Sequence, residues 1–243
     1  KALPYFPIEE ANPFLGWRGI RVTLDHPEIL LAQVRAMMKA NSGLGNLRIM
    51  LPMVSSIPEL EEALGLVHRS HRELVEDGLD TPMPPIGVMV EVPSAVYQAR
   101  ALARRVDFLS VGSNDLTQYL LAVDRNNPRV SDLYHAFHPA VLEALAQVAS
   151  GARAEGKQVG ICGELAGNPM AALLLLAMGY DVLSMNATSL PRVKRAVRAV
   201  TADDAQALWE SVRGLDSGDA VLARLDAFLR QRDLQQMVPA PIE

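Results

Sequence analysis

Cysteine is nearly absent from this 243-residue chain, which contains a single one. One cysteine excludes an internal disulfide and a zinc site built from several thiolates. Long hydrophobic runs are missing as well, because the most apolar run, AALLLLAM (Ala171–Met178), is far too short to span a bilayer. The first residues, KALPYFPIEE, contain no apolar signal-peptide segment. These absences predict a protein of a reducing, cytoplasmic compartment without a membrane partner.

An excess of positive charge is also missing. The chain has 23 Lys and Arg against 28 Asp and Glu, which gives a formal net charge of −5 and an isoelectric point of about 5.6. Since proteins that bind nucleic acid generally carry a basic surface, we expect no nucleic-acid partner. Hydrophobic residues make up 49% of the chain, as in an ordinary globular domain with a large core. The chain begins without Met, which is typical of a piece of a longer protein.

Short apolar runs alternate with longer amphipathic stretches, which is typical of α/β proteins with a parallel sheet. Five runs are apolar on both faces, as helix-covered parallel strands are, and we predict strands over Leu47–Met53, Ile86–Glu91, Asp107–Gly112, Gln158–Gly163 and Asp181–Asn186. A period of 3.6 residues and helix-start signals predict helices over Pro27–Ala40, Pro58–Glu76, Ser94–Arg105, Pro139–Glu155, Pro191–Val200, Ala202–Arg213 and Ser217–Leu234, with a further helix entering at Pro169.

Two architectures fit this alternation, an open doubly wound sheet and a (β/α)8 barrel. Five strands are too few to close a barrel, and periodicity does not separate the two. Polar residues that recur at the carboxyl ends of several strands favour the barrel, because its active site is built at that face.

Three predicted strands deliver such residues. Glu91 ends the run IGVMV, Asn114 and Asp115 follow FLSVGS, and Cys162 follows QVGI. Glu91 and Asp115 are a suitable pair of ligands for Mg²⁺, which takes one or two carboxylates and completes its shell with substrate oxygens and water. The alternative for each carboxylate is an ordinary acid at the start of a helix.

Two arginines and the single cysteine are further candidates. Arg18 lies in NPFLGWRGIR and Arg125 in LAVDRNNP. Either guanidinium suits a phosphate through its planar fork of donors, although a solvated surface arginine is the more common case. Cys162 stands at a strand end beside Gly163, a position that suits a functional thiol as well as a small buried apolar residue.

Five segments carry a resemblance to a known family, in the same order along the chain. NPFLGWRGIR, LRIMLPMV, IGVMVEVPSA, VDFLSVGSNDLTQYLLAVDR and GICGELAGNP resemble the C-terminal domain of Enzyme I, the phosphoenolpyruvate–protein phosphotransferase of the bacterial phosphotransferase system. The resemblance covers about residues 1–238 and leaves 239–243 as a tail. LYHAFHPAVL is closer to the nitrogen-related branch than to the sugar branch. Pyruvate phosphate dikinase and phosphoenolpyruvate synthase are similar in their last domain but differ around the cysteine and around VDR.

The resemblance implies a (β/α)8 barrel of the phosphoenolpyruvate/pyruvate-binding kind that takes Mg²⁺ and forms a homodimer. Glu91 and Asp115 match the family's metal ligands, and Asn114, Arg18 and Arg125 match the residues that hold the phosphoryl group. The phosphoryl group goes to a histidine on a separate N-terminal domain, and from there to a small HPr-like phosphocarrier protein.

The resemblance also assigns a role to Cys162, which matches the cysteine that protonates the methylene carbon of the enolate as pyruvate forms. A thiol is a suitable weak acid for this step, because an unperturbed thiol is mostly protonated at neutral pH.

The chain departs from the family pattern at its beginning. The family's first three strands, one of which ends in an Arg-Thr-Glu-Phe-like motif with another phosphate-binding arginine, have no counterpart. Of a Gly-Gly-Asp-Lys-like strand end, the chain keeps only the lysine, as Lys1. A phosphoacceptor motif of the Gly-Gly-x-Thr-Ser-His kind is also missing. We therefore expect a barrel that lacks its first strands. Two alternatives stay open: another Mg²⁺-enolate barrel enzyme, such as a dikinase-type domain or a 2-oxo-acid lyase, and a catalytically incomplete binding or dimerisation module.

Overall fold

In the computed structural model, which describes residues 9–232 and 234, five parallel strands form one sheet. The strands are β1 (Ile49–Leu51), β2 (Ile86–Val90), β3 (Phe108–Gly112), β4 (Gln158–Cys162) and β5 (Val182–Ser184). Each strand pairs with the next along the chain, in the order β1-β2-β3-β4-β5. A doubly wound sheet reverses its order at a switch point, whereas barrel strands follow one another in sequence. The strand order therefore selects an arc of a barrel and confirms the predicted fold class.

Helices follow the strands and cover the sheet. Before β1 lie α1 (Ile20–Asp25) and α2 (Pro27–Asn41). The later helices are α3 (Ile57–Glu76), α4 (Pro93–Tyr97), α5 (Ala99–Ala103), α6 (Ser113–Leu121), α7 (Pro139–Ala154), α8 (Pro169–Met178), α9 (Leu190–Arg198), α10 (Ala202–Val212) and α11 (Gly218–Arg230), with short 3-10 turns at Ser131–Leu133 and Leu165–Gly167. Within the described residues, none of these helices combines the length and the apolar character that a membrane crossing requires.

The core lies on one face of the central strands. The register places five fully buried side chains together on that face, namely Val88, Val90, Leu109, Val111 and Ile161. On the opposite face Met89 and Ser110 are only partly buried, so the predicted burial on both faces holds for one face. Burial of each of the five fully buried side chains stabilises the fold by about 1.5–3 kcal/mol relative to an exposed position. The sheet is thus best anchored at β2, β3 and β4, the three strands whose ends carry the predicted functional groups.

Three details differ from the sequence-based expectations. The predicted helix over Ser94–Arg105 divides into α4 and α5 at Gln98, whose side-chain amide donates to the carbonyl oxygens of Ser55 and Ser94. Helix α1 follows directly on Gly19 and was not predicted. The outer strands β1 and β5 are shorter than predicted, because each pairs with a neighbour on one side within the described residues. Lys1 and the predicted tail over 239–243 lie outside the described residues.

Side-chain caps fix several helix starts. Asn168 accepts hydrogen bonds from the N–H groups of Met170 and Ala171 at the start of α8. A reciprocal capping box begins α10, where the Thr201 hydroxyl accepts from the Asp204 N–H and the Asp204 carboxylate accepts from the Thr201 N–H. The same carboxylate pairs with Arg232, beyond the end of α11. The box therefore ties the last two helices together.

Replacement of Asp204 by Asn should make the unfolding free energy less dependent on acid pH. The N–H of Thr201, then its hydroxyl and the Arg232 guanidinium hold the pKa of Asp204 below its ordinary value. A lowered pKa contributes stability at neutral pH, and that contribution is lost as the pH falls through the folded-state pKa. The difference between wild type and Asp204→Asn in urea unfolding should thus shrink from pH 7 toward low pH. Asp203→Asn, on the neighbouring exposed acid, is the control, and a pH-independent difference would contradict the assignment.

Candidate active site

The carboxyl ends of β2, β3 and β4 bring the predicted functional groups to one edge of the sheet. Glu91 directly follows β2, Asp115 lies in the first turn of α6 after β3, and Cys162 is the last residue of β4. The register places Gly112 opposite Cys162 and Val90 opposite Val111, so the three strands end side by side. The structure therefore assembles these groups as the strand pattern indicated.

Glu91 is a buried carboxylate held by a backbone donor. Its side chain is 5% exposed, and its Oε1 accepts a hydrogen bond of 2.7 Å from the N–H of Met53, just beyond β1. Met53 adopts a left-handed conformation with φ of 58°. Burial raises the pKa of Glu91 above its ordinary value, the Met53 N–H opposes that rise, and the charge of Asp115 adds to it. The second oxygen, Oε2, makes no hydrogen bond within the described part of the chain.

Gly112 provides the space for the Glu91 carboxylate. A Cβ atom at Gly112 would lie 2.6 Å from Glu91 Oε2 and 2.9 Å from its Cβ. Any larger residue at the end of β3 would push the carboxylate away from the edge of the sheet. Absence of a side chain at this position is thus part of how the site is formed.

Asp115 lies between two guanidinium groups that come from different parts of the chain. Arg18 Nη2 is 3.0 Å from Asp115 Oδ2, and Arg125 Nη1 is 3.2 Å from Asp115 Oδ1. The latter pair is an ion pair without hydrogen-bond geometry, so the buried Oδ1 has no hydrogen-bond partner among the described residues. Asp115 is therefore both the first-turn acid of α6 and the centre of the charged cluster. The two alternatives that the sequence left open for this carboxylate, a site residue and an acid at a helix start, are both met.

Both arginines have further partners on α6, and these partners were not predicted. Arg18 Nη1 donates to the Tyr119 hydroxyl at 3.2 Å, and the Arg125 backbone N–H donates to Gln118 Oε1 at 3.2 Å. Asp115 and Tyr119 are four residues apart and share one helix face, which is a signal that the sequence offered. The helix ends at Leu121, and Ala122 follows it in a left-handed conformation, which turns the chain toward Arg125.

Asn114 connects the loops that follow β3 and β4. Its Oδ1 accepts from the N–H of Glu164 at 3.2 Å, and its backbone carbonyl accepts from the Tyr134 hydroxyl at 3.3 Å. The Ser113 hydroxyl donates to the carbonyl of Cys162 at 2.7 Å. These bonds fix the start of α6 relative to the cysteine.

The Cys162 thiol is held in its protonated form. Burial raises the pKa of Cys162, and the nearby charges of Glu91 and Asp115 raise it further. The thiol donates a weak bond to the Val111 carbonyl at 3.5 Å. A thiol in this setting is a proton donor at neutral pH rather than a thiolate nucleophile.

The family model described as PEP-utilising enzyme, PEP-binding domain matches residues 1–202 of the chain. The chain belongs to this family. The resemblance that the five sequence segments carry is thereby confirmed.

Curated relatives carry phosphotransferase names. The chain is 50% identical to the "Phosphoenolpyruvate-dependent phosphotransferase system" protein of Salmonella typhimurium over 98% of its own length and 32% of the relative's. It is 46% identical to the "Phosphoenolpyruvate-protein phosphotransferase" of Haemophilus influenzae over 96% of its length and 41% of the relative's, and 44% identical to that of Staphylococcus carnosus over 95% and 40%. The chain thus spans about a third to two fifths of these relatives.

A solved structure shares the fold. A citrate lyase from Burkholderia xenovorans LB400 superposes with a TM-score of 0.51 at 18% identity, over 87% of this chain and 71% of that one. At this level of identity the likeness concerns the fold, and it agrees with the sequential parallel order of the five strands.

The donor set of the chain fits Mg²⁺. Glu91 and Asp115 each offer a carboxylate oxygen without a hydrogen bond, and no group of three or more His, Cys, Asp or Glu suited to a metal occurs in residues 9–232 and 234. Within this part of the chain, Glu91 Oε2 is open, and Asp115 Oδ1 faces Arg125 at 3.2 Å without a hydrogen bond. So small a donor set suits a cation that completes its shell with substrate oxygens and water. A closed structural zinc site would need four protein ligands.

A cleft of about 640 Å³ lies next to the site, behind Tyr119. Its lining includes Phe14, Met53, Gln118 and Tyr119, but neither carboxylate and not Cys162. The cleft therefore borders the residues that hold the charged groups, and we place the chemistry at the sheet edge.

Replacement of Gly163 by Ala should destabilise the domain more than the same change at Gly156. Both glycines are left-handed, with φ of 101° and 64°, so both variants carry a backbone penalty of about 1–2 kcal/mol. A Cβ at Gly163 would also lie 2.9 Å from Asn114 Oδ1 and closer still to Ser113 Oγ, whereas nothing lies within 4 Å at Gly156. Unfolding free energies from urea titration test the difference. Equal losses would show that the Asn114 loop moves away freely.

Proposed function

We propose that the chain binds phosphoenolpyruvate with Mg²⁺ and supports phosphoryl transfer from it to a histidine on a separate N-terminal domain, with release of pyruvate. The observation that carries this proposal is the convergence of Arg18 and Arg125 on Asp115, beside Glu91 and within the electrostatic reach of a protonated Cys162. The phosphotransferase names of the relatives support it over a dikinase-type reaction.

The two arginines supply the phosphate-binding part of the mechanism. Each guanidinium is partly exposed and keeps donors beyond the one that faces Asp115, so it can bind a phosphate oxygen without leaving the site. Fixed positive charge around the phosphoryl group stabilises the charge that spreads over its oxygens in the transition state. When bound at Glu91 and Asp115, Mg²⁺ would neutralise further charge on the phosphate and the enolate oxygen.

Cys162 supplies the proton that completes the reaction. The bond between phosphorus and the enol oxygen breaks, the phosphoryl group passes to the acceptor imidazole, and the electron pair remains on the enolate. The enolate carbon C3 then takes the thiol proton, which gives the methyl group of pyruvate, and the thiolate regains a proton from water. The raised pKa of Cys162 keeps the thiol protonated at neutral pH.

The partners follow from the same proposal. They are the N-terminal phosphohistidine domain of the same protein, a small HPr-like phosphocarrier that this domain serves, and a second copy of the chain in a homodimer. The curated relatives are more than twice as long as this chain, which leaves room for an acceptor domain in proteins of that length.

Glu91→Gln and Asp115→Asn should each abolish most of the Mg²⁺ dependence of phosphoenolpyruvate binding. Each change removes one negative charge from a pair that is suited to a divalent cation. Calorimetric titration of the chain with phosphoenolpyruvate, in Mg²⁺ and in EDTA, measures the effect. Glu62→Gln, on an exposed glutamate of α3, is the matched control. Unchanged affinity in both site variants, or equal wild-type affinity in Mg²⁺ and EDTA, would remove the metal assignment.

Cys162→Ser should retain phosphoenolpyruvate binding and lose exchange of the pyruvate methyl protons with deuterium. The reverse of the proposed protonation step is removal of a C3 proton by Cys162, and it requires no phosphoacceptor domain. Serine preserves the size of the side chain, but its hydroxyl is a far weaker acid, so we expect a loss of about 10²–10⁴-fold. Proton NMR of pyruvate in D₂O with Mg²⁺ follows the exchange. A near-normal rate would assign the proton transfer to another group.

A further inference from the structure

Tyr119 joins three parts of the site through one hydroxyl group. The hydroxyl accepts from Arg18 Nη1 at 3.2 Å and donates to the carbonyl oxygen of Phe14. Since Tyr119 lies four residues after Asp115 on α6, both side chains reach the same guanidinium from one helix face. The arginine, the backbone that precedes it and the helix of the carboxylate are thereby linked.

Arg18 needs such a link because its own segment has little regular structure. Residues 9–19 contain turns and bends without a helix or strand. A long arginine side chain loses considerable rotamer freedom when it is fixed, and that entropy must be offset by contacts. Arg18 is held by the Asp115 carboxylate, by the Tyr119 hydroxyl and by the face of the Phe14 ring, 5.8 Å from the guanidinium carbon.

The hydroxyl matters more here than the packing of the ring. Tyr119 and Phe14 both line the 640 Å³ cleft, so open space lies on one side of the two rings. Burial raises the pKa of Tyr119, and the phenol therefore stays neutral and can accept and donate at once. Asp115 is also a proposed ligand of Mg²⁺. The Tyr119 phenol is not, so its bond to Arg18 does not compete with the cation.

We propose that Tyr119 is a positioning residue for substrate binding: its hydroxyl holds the Arg18 guanidinium and the Phe14 carbonyl so that Arg18 faces the phosphate of phosphoenolpyruvate. This inference rests on the proposed function, since it assigns Arg18 to the phosphate. It adds a residue that acts through Arg18 and does not touch the substrate.

Tyr119→Phe tests the link without substrate. The variant keeps the ring and loses both hydrogen bonds, so amide hydrogen exchange in residues 9–19 should accelerate about tenfold. Tyr97→Phe is the control, because Tyr97 is 78% exposed and its hydroxyl makes no hydrogen bond within the described residues. Exchange in residues 9–19 that matches wild type would overturn the inference, whether or not the protein binds phosphoenolpyruvate.

A double-mutant cycle tests the connection to substrate. Tyr119→Phe should weaken Mg²⁺-dependent phosphoenolpyruvate binding roughly tenfold in calorimetry, because loss of a hydrogen bond to a charged group has about that effect. In an Arg18→Ala background the same change should have little further effect, since the group that Tyr119 holds is gone. A structural role that did not pass through Arg18 would give additive losses and would overturn the inference.

The two proposals fail in different ways. If Arg18→Ala leaves the affinity for phosphoenolpyruvate unchanged, the assignment of Arg18 to the phosphate is wrong and the proposed function is refuted with it. If Arg18→Ala lowers the affinity but Tyr119→Phe does not, the function stands and the role of Tyr119 is refuted.

Discussion

The site depends on one partly buried carboxylate that attracts two arginines from separate parts of the chain. Asp115 pairs with Arg18, which lies 97 residues earlier, and with Arg125 in the loop beyond α6. The two guanidinium groups balance the charges of Asp115 and Glu91 and place positive donors at the sheet edge, although the chain as a whole has a formal charge of −5. Such donors are what an anionic substrate requires, and they are kept in place by attraction within the protein rather than by substrate.

Burial near this cluster shifts the pKa of two neighbouring groups in the same direction, with a different consequence for each. The same removal from water raises the pKa of Glu91 and the pKa of Cys162. For the carboxylate, the rise reflects the cost of holding a negative charge away from water, a cost that a nearby cation would offset. For the thiol, the rise preserves the proton that the proposed mechanism transfers. One low-dielectric pocket therefore prepares a metal ligand and an acid together.

Much of the site could be predicted because parallel strands place their carboxyl ends at one edge. Glu91 directly follows an apolar run, Cys162 ends one and Asp115 comes three residues after one, so their proximity could be predicted from the strand pattern. Arg18 and Arg125 are not distinguishable from other arginines by their surroundings in the sequence, and they were singled out through the family resemblance.

The contact of Met53 with Glu91 was not predicted, because Met53 acts through its backbone N–H in a left-handed conformation. A methionine gives no sequence signal for that conformation. The break at Gln98 was missed for a different reason. The apolar spacing of Ala95, Ala99 and Leu102 continues across it, and the break depends on contacts of the Gln98 side chain, one of them with the distant Ser55.

The sequential strand order has a consequence for how this fold tolerates additions. The three strand-end groups come from β2, β3 and β4, while the outer strands β1 and β5 keep partly exposed side chains such as Met50 and Val182. Among the described residues, each outer strand pairs on one side only, so the backbone groups on its other side are able to accept another strand. Further strand–helix units would extend the arc at either edge without a change in the pairing of the three central strands. Strands can therefore be added at the edges of the sheet while the positions of Glu91, Asp115 and Cys162 stay the same.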